Sequence, residues 1–179
     1  DYIYAVISES EGMMQYDNVS SVDIKGVEGE VRYNWGDFLQ AIVNCSYQDA
    51  RDKKKYREDG KPSISYNNNV PNRPWLFGNA EIDFTWRDLF VNDTKFRLSY
   101  DYQYVHWFYL TWEGYGALET KSRIPTQHIH SARLTYSWAK ERYNVSLECN
   151  NIFDKTVYDN YMLQKPGRSF FCKFRIFIN

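Results

Sequence analysis

Residues 94–112 read TKFRLSYDYQYVHWFYLTW. Phe96, Leu98, Tyr100, Tyr102, Tyr104, His106, Phe108, Leu110 and Trp112 share one phase of a two-residue period, while Lys95, Arg97, Ser99, Asp101 and Gln103 open the other. Successive side chains of a strand point to opposite faces, so this pattern predicts a strand with one aromatic, apolar face and one charged face. Strands of compact domains average about 5–6 residues. An alternation sustained over the whole of 94–112 suits a membrane barrel whose strands extend past the bilayer better than a compact sandwich.

The same period recurs on both sides. In VEGEVRYNW, Val27, Gly29, Val31, Tyr33 and Trp35 alternate with Glu28, Glu30, Arg32 and Asn34; in LFGNAEIDFTW, Leu76, Gly78, Ala80, Ile82, Phe84 and Trp86 alternate with Phe77, Asn79, Glu81, Asp83 and Thr85. ERYNVSLEC sets Tyr143, Val145, Leu147 and Cys149 against Arg142, Asn144, Ser146 and Glu148. Short links at Gly36-Asp37, from Asp88 to Asp93 and at Lys140-Glu141 alternate with long polar segments such as DARDKKKYREDGKPSISYNNNVPNRP and EGYGALETKSRIPTQ. The chain is therefore expected to be all-β, an antiparallel up-and-down meander of about eight long strands near 2–8, 20–35, 38–49, 74–86, 94–112, 127–139, 142–150 and 168–179. Short turns on one rim and long loops on the other are the arrangement of a transmembrane β-barrel, of which this chain would be a part.

Composition agrees. No stretch approaches the roughly 20 apolar residues of a membrane helix, and the mean hydropathy is -0.67; barrel strands hide from such averages because half their residues are polar. Aromatic residues make up 18% of the chain, with 16 Tyr and 6 Trp, and they gather near strand ends as interfacial girdles do: Tyr33, Trp35, Trp86, Tyr136 and Trp138 on the short-turn side, Trp107 and Trp112 towards the other. A net charge of -1 gives no ground for a nucleic-acid partner. The opening residues DYIYAVISES lack the regions of a signal peptide, so the chain is expected to be mature or excised.

At the carboxyl end, Asn151-Ile152-Phe153-Asp154, then Tyr158, then Pro166-Gly167-Arg168-Ser169-Phe170 leading into a last aromatic strand, resembles the end of TonB-dependent outer-membrane receptors, with their Asn-Leu-Phe/Thr-Asp-x-x-Tyr segment and Pro-Gly-Arg turn. The resemblance implies a nutrient transporter in the outer membrane of a Gram-negative bacterium, importing a ferric siderophore, haem or cobalamin. It implies partners in membrane lipid and, through a missing amino-terminal part, the TonB system. It also implies that residues 1–179 are the carboxyl-terminal barrel segment without the plug, the last third of a barrel of about 22 strands. Ile178 takes the place of the family's terminal aromatic, with Asn179 left over. Cut from its barrel, such a segment is expected to self-associate through its edges and apolar face.

In the motif itself, Asn151 and Asp154 are expected to fold onto backbone amides as Asx turns do, and Gly167 to supply the positive φ of a type II turn after Pro166. Asn151, Phe153, Asp154, Tyr158, Pro166, Gly167 and Arg168 are accordingly structural. Candidate ligand contacts are Tyr109, Trp112, Tyr115 and Arg123, which flank the outer loop after the longest strand. His128 and His130 have metal-like spacing on one side of a strand, with His106 nearby, yet all share the apolar phase and suit an interface; no metal or cofactor is expected. Glu81, Asp83 and Asp101 are expected to pair with Arg97 and Arg133 across the lumen face. RDKKKYREDGK, residues 51–61, suits a solvated loop, or one that meets anionic headgroups or an acidic substrate. Nothing indicates the shielded pocket that acid/base catalysis needs, so no enzyme is expected. Cys45, Cys149 and Cys172 are odd in number and fit independent thiols better than a disulfide scaffold. Two other architectures fit the period: a complete eight-stranded barrel acting as adhesin or anchor, and a secreted sandwich that binds carbohydrate.

Overall fold

The structure, a computed structural model, describes residues 2–7, 14–19, 21–57, 60–112 and 123–178. Its strands are β1 (Tyr2–Ile7), β2 (Met14–Val19), β3 (Val22–Trp35), β4 (Leu39–Asp52), β5 (Leu76–Arg87), β6 (Lys95–Val105), β7 (Phe108–Tyr109), β8 (Arg123–Ile124), β9 (Gln127–Trp138), β10 (Tyr143–Asn150) and β11 (Ser169–Ile176). Seven of them form one antiparallel sheet in the order β3-β4-β5-β6-β9-β10-β11, while β1 pairs with β2 and β7 with β8. The sheet is a meander, as the alternation of turns and loops requires. Its outermost strands, β3 and β11, do not pair with each other. The chain does not close on itself as a small barrel.

Register keeps each phase on one face from edge to edge. Val31 lies opposite Val43, Val43 opposite Ala80, Ala80 opposite Tyr102 and Tyr102 opposite His130. On the apolar face Val27, Val31 and Phe170 are 67%, 69% and 73% exposed. A sandwich would bury those side chains under a second sheet. Among the described residues the buried apolar side chains are Ala50, Val70, Phe108, Trp112, Ile124 and Val157, all at the long-loop end. The sandwich expectation fails on this absence of a core between sheets.

At the short-turn rim, Phe38 meets Trp35, Phe84 and Trp86 at ring distances of 6.4, 5.7 and 5.6 Å, and Trp138 stacks on Tyr136 at 5.7 Å and Tyr143 at 5.4 Å. This is the expected lower girdle. The β9–β10 turn places Ala139, Lys140 and Glu141 at φ of 52, 55 and 65°, and Glu141 reaches back to Lys95 at 3.1 Å and Arg87 at 3.5 Å. These ion pairs fasten the turn to the neighbouring hairpin. Cys45, Cys149 and Cys172 are free thiols whose strand positions all fall on the apolar face. Cys172 stands opposite Leu147 and Cys149 opposite Phe170, a diagonal relation that leaves the two thiols unbridged.

The run 94–112 is not one strand. Pairing of β6 ends where Val105 faces Phe77 and Gln127; beyond it the Trp107 amide donates to Thr126 Oγ1 at 3.1 Å, and Phe108 turns into the protein, 1% exposed. The two-residue period of the sequence continues past the point where neighbouring strands stop supplying partners.

Candidate functional site

The polar face of the sheet carries a row of cross-strand contacts. Glu148 sits directly opposite Arg133 and accepts from Arg133 at 3.2 Å and Lys173 at 2.8 Å. Asp83 lies opposite Ser99 and accepts its hydroxyl proton, whereas Glu81 lies opposite Asp101. The expected pairing of Glu81, Asp83 and Asp101 with Arg97 and Arg133 is met in part: Arg133 and Arg97 are attracting charges near Glu81, and Arg133 near Asp101, while the direct ion pair of Arg133 is with Glu148, one strand further on. Towards the short-turn rim an open groove of about 420 Å³ is lined by Lys95, Arg97, Arg133, Lys173 and Arg175, with Glu141 and Glu148 between them. In the turn, the hydrogen bond from Lys95 holds the Glu141 carboxyl below its ordinary range.

The long connections fold over this face at the opposite rim. Val70 and Trp112 pack on Ala50 and Val22, residues of the polar phase of β4 and β3. Asp52 is 2% exposed and accepts from Ser65 Oγ at 2.6 Å and from the Lys54 amide at 2.8 Å, which shapes the start of the loop. Asn72, at φ 58°, joins three connections. Its amide donates to Tyr109 O at 2.8 Å, and the side-chain amide, in the orientation that turns its nitrogen to the two facing carbonyls, donates to Leu110 O at 3.0 Å and Asn160 O at 2.8 Å. Asn is among the few side chains that adopt this backbone region readily. In the sequence, the one signal for Asn72 is the turn-forming NNNVPNRP run.

The small β7–β8 pair brings two of the candidate contacts together. Tyr109 stands opposite Arg123, and the Arg123 guanidinium lies 4.6 Å from the Trp107 ring centre and 5.3 Å from that of Tyr109. Arg123 Nε is buried and lacks a hydrogen-bond partner among the described residues. Trp107, expected only in a girdle, is thus part of this cation–aromatic cluster. Trp112 is 5% exposed and belongs to the packed base of the cap. Tyr115 lies outside the described residues. The three histidines sit on the apolar face, each held through Nδ1 by a tyrosine hydroxyl, and no group of three or more metal-type side chains occurs among the described residues.

The carboxyl-terminal motif forms the last long connection. Asn151 Oδ1 accepts the Lys155 amide at 3.0 Å and Asn151 Nδ2 donates to Lys155 O at 2.7 Å. Asp154 Oδ1 accepts the Arg168 amide at 2.8 Å, across the loop and not within a local Asx turn. Phe153 stands edge-on to His130 at 4.9 Å, and the Tyr158 amide donates to Gln127 Oε1 at 2.7 Å. Gly167 differs from expectation. Among the described residues the glycines in the positive-φ region are Gly36 and Gly60; Gly167 instead lies close to a side chain, since a Cβ there would sit 2.7 Å from Asp154 Oδ1 and turn that carboxylate away. Pro166 and Gly167 thus deliver Arg168 to the Asp154 carboxylate at the entrance to β11.

The family model for the β-barrel of TonB dependent receptor-like proteins matches residues 1–152. The chain belongs to this TonB-dependent receptor family. No curated protein matches it in sequence. Among solved structures, it is similar to BauA, the ferric preacinetobactin receptor from Acinetobacter baumannii, with a TM-score of 0.67 and 12% identity over 95% of this chain and 25% of that one. It is also similar to the ferric yersiniabactin uptake receptor FyuA from Yersinia pestis, with a TM-score of 0.58 and 17% identity over 85% of this chain and 22% of that one. At such identities the likeness establishes the fold, and the chain spans about a quarter of the length of either receptor.

Proposed function

We propose that residues 1–179 are the carboxyl-terminal wall of an outer-membrane TonB-dependent transporter that imports a ferric siderophore. The carrying observation is the asymmetry of the sheet: an exposed apolar face, a charged face, and long connections that fold over the charged face at one rim only. In a barrel wall the apolar face meets lipid and the charged face lines the lumen. The loop cap then faces the outside, where Tyr109 and Arg123 are the ligand contacts and Trp112 supports them from below. An arginine 4.6 and 5.3 Å from two ring centres, with Nε unpartnered among the described residues, suits an anionic or aromatic ferric complex.

Transport as such needs no catalytic group: the plug and the TonB system, supplied by other parts of the receptor and the cell, do the work on a blocked lumen. The test is growth of cells carrying the full-length receptor as their sole iron-uptake route, on ferric siderophores, haem or, in a matched strain, cobalamin, with and without the TonB protein. Growth on a ferric siderophore that disappears without TonB supports the reading. Undiminished growth on every nutrient without TonB refutes transport, and growth on haem or cobalamin alone refutes the siderophore. The isolated chain, with β3 and β11 as open edges, associates in solution; a monodisperse monomer by light scattering without detergent contradicts this.

A further inference from the structure

The groove on the polar face, at the rim away from the loop cap, carries more positive charge than the wall itself neutralises. Five cations line it against two carboxylates, Glu141 and Glu148. Both carboxylates are already shared: Glu141 between Lys95 and Arg87, Glu148 between Arg133 and Lys173. Arg97 and Arg175 are left over, and neither guanidinium has an ion pair or a hydrogen bond among the described residues. Glu81, on the neighbouring strand, attracts Arg97 without pairing to it, and the Arg175 guanidinium lies 5.9 Å from the Phe177 ring centre.

The floor between these two arginines offers donors. Register sets Arg97, Thr135, Ser146 and Lys173 in one row across β6, β9, β10 and β11, and Lys95, Ser137, Asn144 and Arg175 in the next. Thr135 and Ser146 share a hydrogen bond at 2.9 Å, so one hydroxyl proton is spent between them and the other is free for a ligand. Asn144 gives one of its two amide protons to Glu141 O at 2.8 Å and keeps the second. Hydroxyl and amide donors flanked by unpaired guanidiniums receive an anion, and the planar fork of arginine matches a carboxylate.

Spacing sets the size of that anion. Three strand spacings separate β6 from β11, about 14 Å between backbones, and Arg97 and Arg175 stand a further two-residue step, about 7 Å, apart along the strands. Strand side chains stand roughly perpendicular to the sheet, so the two guanidiniums keep much of that separation. A single oxyanion meets one of them. A molecule with two or more carboxylates meets both, and its second contact is favoured because it is intramolecular.

We propose that this groove is a second ligand site, on the exit side of the wall, for a small molecule bearing two or more carboxylates: Arg97 and Arg175 each take one, and the Thr135–Ser146 pair supports the molecule from below. The proposal rests on the reading of the polar face as a lumen lining, and it narrows the imported ferric complex to one with free carboxylates.

The full-length receptor in lipid nanodiscs is titrated by calorimetry, at constant ionic strength, with tricarballylate, with its trimethyl ester and with inorganic phosphate. All titrations use an Arg123→Ala background, which takes the arginine of the loop cap out of the measurement. Tricarballylate should bind at a single site, the ester should not bind, and phosphate should bind roughly tenfold more weakly. Arg97→Gln with Arg175→Gln should weaken tricarballylate about tenfold, and Arg97→Lys with Arg175→Lys, which keeps the charge and loses the fork, about threefold. Arg32→Gln, on the same face but on β3 at the far edge of the sheet, should change nothing. Heat-modifiable migration on gels verifies folding; should the paired glutamine variant not fold, Arg175→Gln on the edge strand serves alone. A folded parent that does not bind tricarballylate, the result expected if an acidic segment of the receptor fills the groove, overturns the proposal. So does phosphate that binds as tightly as tricarballylate, or a folded glutamine variant that binds as the parent does. Tricarballylate binding that passes these tests while the growth assay refutes ferric-siderophore import sinks the transport reading alone, so the two failures are distinguishable.

Discussion

Gly167 and Asp154 allow a prediction to be worked from distances. Asp154 Oδ1 accepts the Arg168 amide at 2.8 Å, and a methyl group on residue 167 would lie 2.7 Å from the same oxygen. Because Gly167 is outside the positive-φ region, alanine meets no backbone strain there. Gly167→Ala therefore acts through one contact: the carboxylate turns away and its hydrogen bond is lost. The site is exposed, so the loss is that of an ordinary net hydrogen bond, about 1 kcal/mol. Asp154→Ala removes the same bond and costs about 1 kcal/mol as well. In the double variant the bond is lost only once, and the total should stay near 1 kcal/mol, a coupling of about 1 kcal/mol between adjoining sites. Urea unfolding of the full receptor in lipid vesicles, followed by tryptophan fluorescence and gel migration, gives the four stabilities of the cycle. Costs that simply add to about 2 kcal/mol would refute the contact, and so would a Gly167→Ala variant as stable as the parent.

Tyr102→Arg places a charge on the apolar face near mid-height and should destabilise the folded receptor in vesicles by about 2–4 kcal/mol, whereas Gln103→Arg, on the lumen face, should change stability little. Asn72→Gly keeps the positive φ and removes the side-chain bonds to Leu110 and Asn160; limited proteolysis should then cut the loops 53–75 and 151–168 faster, with the strands still protected. The lowered pKa of Glu141 means that its ion pairs stabilise the fold above the unfolded carboxyl value and that this contribution fades as pH falls through the folded value. With the side chain 46% exposed the effect is about 0.5 kcal/mol or less, and Glu141→Gln should erase that part of the stability difference between pH 7 and pH 3.

Faces were legible in the sequence because a two-residue period maps directly onto the two sides of a strand. Tyr100 and Asp101 fall on opposite sides as the alternation requires. Length was not legible: Tyr104 and Phe108 share a phase in the text, but β6 ends at Val105 because its neighbours do, a fact of tertiary pairing. Partner choice also lay beyond the period. Arg133 has several carboxylates within a strand or two, and only the register fixed by the β9–β10 turn selects Glu148. Asx capping by Asn151 followed from residue type, whereas the close approach at Gly167 is to a side chain 13 positions away in sequence, which local turn chemistry does not see. Of the loop site, Tyr109 and Arg123 were accessible from their place beside a long loop. Asn72 and Trp107 were not, since their importance comes from three connections meeting in space.

The thiols on the apolar face have a consequence for the life history of the chain. Once the sheet is in a bilayer, Cys45, Cys149 and Cys172 stand on the lipid side, away from water-borne reagents. On the outer-membrane reading proposed above, the same three sulfurs cross an oxidising compartment in water before insertion, free to cross-link or to be capped. Thiol chemistry thus timestamps assembly: a membrane-impermeant maleimide labels chains still in transit and spares those that have arrived.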